Sequence, residues 1–131
     1  MEAQEESYLV KPNFDDLVEQ VGPGEYKVRI KSSKVGQWPG RDGRSPTTYI
    51  AWTMETFGED LAENNGRYVF HNTPIEGKGI FRLKNFFKAA LGEELTGEFD
   101  RTSLYGRELQ IVIAPQKNAP QYNEVQSVSS L

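Results

Sequence analysis

A mainly β fold, with five strands and one helix between the third and the fourth, is what this sequence predicts. Segment 24–35, GEYKVRIKSSKV, alternates apolar and basic residues, the period of a strand with one face inward. Further runs rich in Tyr, Ile, Val, Trp and Thr are bounded by Gly, Pro and Asn turn signals. After Gly77 and Gly79 the apolar period changes from two to that of a helix. With 131 residues the chain is expected to form one domain with a modest core.

Each element has its own warrant. Residues 1–22 read as an acidic N-terminal arm, with Glu2, Glu5, Glu6, Asp15, Asp16 and Glu19 against Lys11. Phe14, Leu17, Val18 and Val21 have helix-like spacing within it. Gly22-Pro23-Gly24 breaks the chain and launches the first strand, whose Tyr26, Val28 and Ile30 oppose Lys27, Arg29 and Lys31 across the pleat. Residues 34–47 are expected to form a long basic loop carrying Lys34, Trp38, Arg41 and Arg44. The second strand, 48–57, places Ile50, Trp52 and Met54 on one face and Tyr49, Ala51, Thr53 and Glu55 on the other, which directs Trp52 to the core. Asn65-Gly66 is a turn before a third strand over 67–72, where Tyr68 and Phe70 share a face and His71 is expected to face solvent.

Ile80, Leu83, Phe87 and Ala90/Leu91 make one helical stripe, widened by Phe86, and Gly92 stands at the C-cap. Arg82, Lys84 and Lys88 fall on the solvated side of that helix. A variable segment leads to an apolar fourth strand over 108–114. A turn-rich loop and a fifth strand over 122–128 follow, before a Ser-rich stub at 129–131. Five short antiparallel strands hide their apolar faces best by closing into a small barrel. With a helix between strands 3 and 4, the string fits a five-stranded OB-fold-like barrel over residues 23–128.

Charge narrows the function. The chain carries a formal net charge of −4 and a pI near 5.1, so it does not bind polyanions through overall charge. The distribution is uneven, however: between Tyr26 and Thr48 there are six basic residues and one acid, Asp42. Local field steers a ligand. Single-stranded nucleic acid asks for cations along its phosphates and flat rings under its bases. Lys27, Arg29, Lys31, Lys34, Arg41 and Arg44 meet the first need. Trp38, Tyr49, Tyr68 and Phe70 are candidates for the second, with core packing a competing role for Tyr68 and Phe70.

Catalysis is not expected. There is one histidine and no cysteine, and neither a paired metal-ligand spacing nor a phosphate-cradling GxxxxGK[ST] occurs. No cofactor is implied. No apolar run approaches the ~18–20 residues of a membrane span, and the acidic N-terminus lacks the order of a signal peptide, so a cytoplasmic protein is expected.

The ordered runs PGEYKVRI, GRYVFHNTPI, GKGIFRLKNFFKAALG, YGRELQIVIA and YNEVQSV resemble a phage-encoded family of small single-stranded DNA-binding proteins from replication and recombination modules. The resemblance covers roughly residues 23–128. It implies an OB-like fold, sequence-tolerant binding of single-stranded DNA and work beside a phage recombinase, helicase or primase in the host cytoplasm. The chain ends SVSSL, without the acidic tail by which cellular single-strand binders recruit partners; its acids lie at the N-terminus instead. Homo-oligomerisation would multiply weak contacts by raising effective concentration. The competing expectation is a protein–protein adaptor that binds a phage or host replication enzyme without touching nucleic acid.

Overall fold

The structure is a computed structural model and describes residues 21–40, 43–119 and 123–131. Expectations for residues 1–20, Arg41, Asp42 and Tyr122 lie outside the described residues. Five antiparallel strands form one sheet: β1 (Gly24–Trp38), β2 (Thr47–Phe57), β3 (Tyr68–Pro74), β4 (Glu108–Pro115) and β5 (Asn123–Ser130), in spatial order β3-β2-β1-β4-β5. The helix α1 (Ile80–Leu91) connects β3 to β4, as the sequence predicts.

Strand β1 organises the sheet because it pairs on both sides. Gly24–Arg29 pairs with β4 and Lys27–Trp38 with β2, so Lys27–Arg29 is flanked on both sides and the strand beyond continues against β2 alone. A bulge between Ile30 and Ser32 lies just past the doubly flanked stretch. Strand alternation before the bulge buries Val28 and Ile30; the inner face of β2 supplies Ile50, Trp52, Met54 and Thr56, and that of β4 supplies Leu109, Ile111 and Ile113. The core is closed by Leu83, Phe86 and Phe87 of α1 and by Leu104 from a short 3-10 turn, Arg101–Leu104. Asp100 caps that turn by accepting from the Thr102 amide at 2.9 Å and its hydroxyl at 2.8 Å. These bonds to the ionised carboxylate hold the Asp100 pKa below its ordinary value.

Burial of the Trp52 ring is complete, and its indole N–H donates to the Thr73 hydroxyl at 2.8 Å. Phe86 lies against the same ring, 4.7 Å between centroids. The helix ends where expected: Gly92 has φ 75° and its amide donates to the Lys88 carbonyl at 2.7 Å. A left-handed residue there is inexpensive only for glycine.

Four expectations are corrected. The sheet is not closed into a barrel: β3 and β5 are its edges, and they approach across a seam without forming a ladder. Helix α1 lies against both edge strands and covers the inner face there, so the apolar residues are buried without complete closure. The loop expected from residue 34 begins only after Trp38, because β1 stays paired with β2 through Trp38↔Thr47. Ser129 and Ser130 belong to β5 and are no stub, since they pair with Gln110 and Leu109. His71 points inward, opposite Trp52 and 5.7 Å from the Phe86 ring centroid.

Replacing Thr73 by Val keeps the shape of the side chain but leaves the buried Trp52 N–H without an acceptor. Thr73→Val is expected to lower stability by about 1–3 kcal/mol in urea unfolding, with little change in m-value.

Candidate nucleic-acid interface

The bulge decides what faces outward on β1. Before it, the odd-numbered residues Lys27 and Arg29 lie opposite Phe57 and Glu55, on the outer face of β2. After it the parity is reversed: Ser32, Lys34, Gly36 and Trp38 oppose Thr53, Ala51, Tyr49 and Thr47 on the same outer face. On β3, Val69, His71 and Thr73 oppose the buried row of β2, which turns Tyr68, Phe70 and Asn72 outward. The outer surface of β1, β2 and β3 therefore brings together Lys27, Arg29, Lys34, Trp38, Tyr49, Tyr68 and Phe70.

The aromatic groups are not equivalent. Trp38 stacks on Tyr49 with ring centroids 4.3 Å apart and planes inclined by 20°. Gly36 makes the stack possible: a Cβ there would stand 2.7 Å from the Tyr49 ring, which lies across the glycine. Phe70 is 50% exposed, far more than an apolar ring gains from water, while Tyr68 is half-buried. The competing core role for Phe70 is excluded by this orientation. Trp52 is the ring that the core takes.

The cations differ in availability. Arg29 meets Glu108 at 2.8 Å and lies over the Phe57 ring, 4.7 Å from its centroid. Lys31, at the bulge, pairs with Glu55 at 3.4 Å. Both pairs reach solvent, the Arg29–Glu108 pair more than the half-buried Glu55 of the other, so each is worth little and can exchange for a phosphate. Lys34 is exposed on the strand and Arg44 in the loop between β1 and β2; neither has a carboxylate partner among the described residues. The Lys27 stem runs over Gly58. Arg41 lies outside the described residues.

The seam forms a second feature that the sequence did not announce. A groove of about 500 Å³ opens between β3 and β5, floored by the first half of α1 and reached by Trp38 and Phe70. Phe81, Arg82 and Asn85 rise into it from the helix. Phe81 is 55% exposed and lies off the stripe that buries Leu83, Phe86 and Phe87. An apolar ring outside the helix's buried stripe was the available signal. His71 also lines the groove; burial, aided by the Arg82 cation, lowers its pKa from 6.5 to about 4. Among the described residues no group of three or more His, Asp or Glu side chains is placed to hold a metal ion, and no helix is long and apolar enough to cross a membrane. The chain matches no known family model and no curated protein sequence.

Two measurements follow from this geometry. Gly36→Ala is expected to push the Tyr49 ring off Trp38, so that acrylamide quenches the surface indole more strongly while the buried Trp52 is unaffected. His71, folded, resists protonation between about pH 6.5 and 4, whereas the unfolded chain takes up the proton. Stability therefore falls as pH drops through that window, by up to roughly 3 kcal/mol, and no further below it. Urea unfolding at pH 7 and pH 4.5 should show a smaller loss for His71→Gln than for the unaltered protein.

Proposed function

We propose that this protein is a non-catalytic, sequence-tolerant single-stranded DNA-binding protein, and that its sheet is an OB-type arrangement in which β3 and β5 approach without pairing. One observation carries the reading: the Trp38–Tyr49 stack, Tyr68 and Phe70 share a solvent-facing surface with Lys27, Arg29 and Lys34. Rings of this kind offer stacking to any unpaired base, about 1–3 kcal/mol each, and the cations track the phosphates. In an OB arrangement the face of strands 2 and 3 and the neighbouring loops form the ligand surface. The preference for DNA, the phage replication or recombination setting and a partner recombinase, helicase or primase rest on the family resemblance. Self-association through an exposed strand edge, β3 or β5, would supply the avidity that one small patch lacks.

The mechanism has two steps. Lys34, Arg44 and the strand-1 cations attract the strand, and Arg29 and Lys31 exchange Glu108 and Glu55 for phosphates. Bases then settle on the rings. The experiment is a fluorescence titration with a dT oligomer and its RNA counterpart at two salt concentrations. Trp38 lies at the surface and Trp52 in the core, so quenching on binding should vanish in Trp38→Phe while the core signal persists. Lys34→Glu should weaken binding about tenfold and reduce the log–log salt slope by about 0.7, the value for one single-strand phosphate contact. No binding at low salt overturns the reading and leaves the adaptor, which expects a co-purifying replication enzyme and no nucleic-acid shift.

A further inference from the structure

The groove at the seam has a composition unlike the outer face. Phe70 and Phe81 present exposed rings to it, 50% and 55% open. The side-chain carboxamides of Asn72, Asn85 and Gln126 also line it, and among the described residues none of the three side chains has a protein hydrogen-bond partner. Arg82 and Glu124 supply one charge of each sign. A merely solvated surface has no need of two large apolar rings beside three unengaged amides. A phosphate track would be lined with cations, and a lipid or apolar peptide would ask for a drier lining.

Rings plus free amides fit an unpaired nucleobase. Its faces stack on an aromatic side chain, and its edge presents adjacent donors and acceptors that a carboxamide matches in pairs. We propose that the groove between β3, α1 and β5 is a nucleobase-binding subsite, which takes one or two bases of the strand held on the outer face. The inference rests on the single-strand-binding reading and deepens it. Continuity supports it: Trp38, Phe70 and Asn72 lie on the outer face and also line the groove, so a strand crossing β3 passes from one to the other without a gap. The outer face binds without regard to sequence. The groove reads a base edge, and so confers a base preference on an otherwise tolerant protein.

The test uses the full chain with 12-residue homopolymers of dT, dC and dA and a 12-residue abasic deoxyribose-phosphate oligomer. Phe81→Ala and Asn85→Ala alter exposed side chains, and thermal melting of both variants serves as the check that they fold. Phe81→Ala is expected to weaken binding of the preferred homopolymer about tenfold, the effect of one lost stacking contact, and to leave the abasic oligomer unaffected. Asn85→Ala should narrow the difference among dT, dC and dA. The imidazole of His71, the only histidine, should shift in the NMR spectrum when the preferred oligomer binds the unaltered protein and stay still in Phe81→Ala. Unchanged affinities and base preference in both variants, with Trp38→Ala weakened, overturn the subsite and spare the outer face. Absence of binding by the unaltered protein overturns both.

Discussion

The one extra residue in β1 decides which side chains this protein shows to solvent. A strand alternates strictly, so an unbroken β1 would send Lys34, Gly36 and Trp38 to the side of Val28 and Ile30. The bulge between Ile30 and Ser32 reverses the alternation and returns them to the side of Lys27 and Arg29. It also marks where β1 parts from β4: pairing with β4 ends at Arg29. The Ile30 amide and carbonyl are then satisfied by Arg107 and Gly106, at 2.9 and 2.7 Å. Ser33, just beyond, bonds with the Tyr105 hydroxyl and accepts from the Arg101 guanidinium, both at 2.8 Å. The approach to β4 thus clamps the bulge from the other side of the sheet, which makes the outward row a fixed feature.

Burial on the inner side and exposure at the seam are linked through α1. Phe86 fills the space against Trp52 and His71 and covers the apolar face between the edge strands. A helix placed there removes the need for β3 and β5 to meet, and the seam between them stays open as the groove. The same placement brings Phe81, Arg82 and Asn85 to the seam, because they stand on the turn of helix adjacent to the buried stripe. The groove is thus a by-product of burying Phe86 and Phe87.

Much of this was legible in the chain. Regular alternation gave the inward row of β2, and Trp52 lies in the core as Ile50 and Met54 foretold. The 3.6-residue period gave α1, with Gly92 at its C-cap. The bulge was not legible, because neither Gly nor Pro marks it, and without it residues 34–38 read as loop. The orientation of β3 was hidden for another reason. Hydrophobicity favours Tyr68 and Phe70 as the inward pair, yet Val69, His71 and Thr73 are inside, where Thr73 meets the indole N–H and His71 meets Phe86. Hydrogen-bond matching and ring packing set by α1 outweighed side-chain size, and neither is visible in a local pattern. That decision also places Phe70 at the surface and leaves the imidazole neutral beside Arg82.

The acidic balance of the chain bears on how such a surface would hold a polyanion. Two of its cations already face carboxylates, Arg29 with Glu108 and Lys31 with Glu55, and both pairs are solvated. Releasing a pair to bind phosphate gains little beyond the exchange itself, since the carboxylate left behind repels the incoming strand. The net electrostatic gain would then rest on cations without acidic partners, Lys27, Lys34 and Arg44 among the described residues of this face and its loop. Counterion release from so few contacts is modest. On the single-strand-binding proposal, ring stacking, which depends little on ionic strength, would have to supply the larger part of the affinity. A basic single-strand binder attracts any polyanion. A surface that holds its ligand mainly by rings favours unpaired bases, because the faces of paired bases are already covered by their neighbours in the duplex.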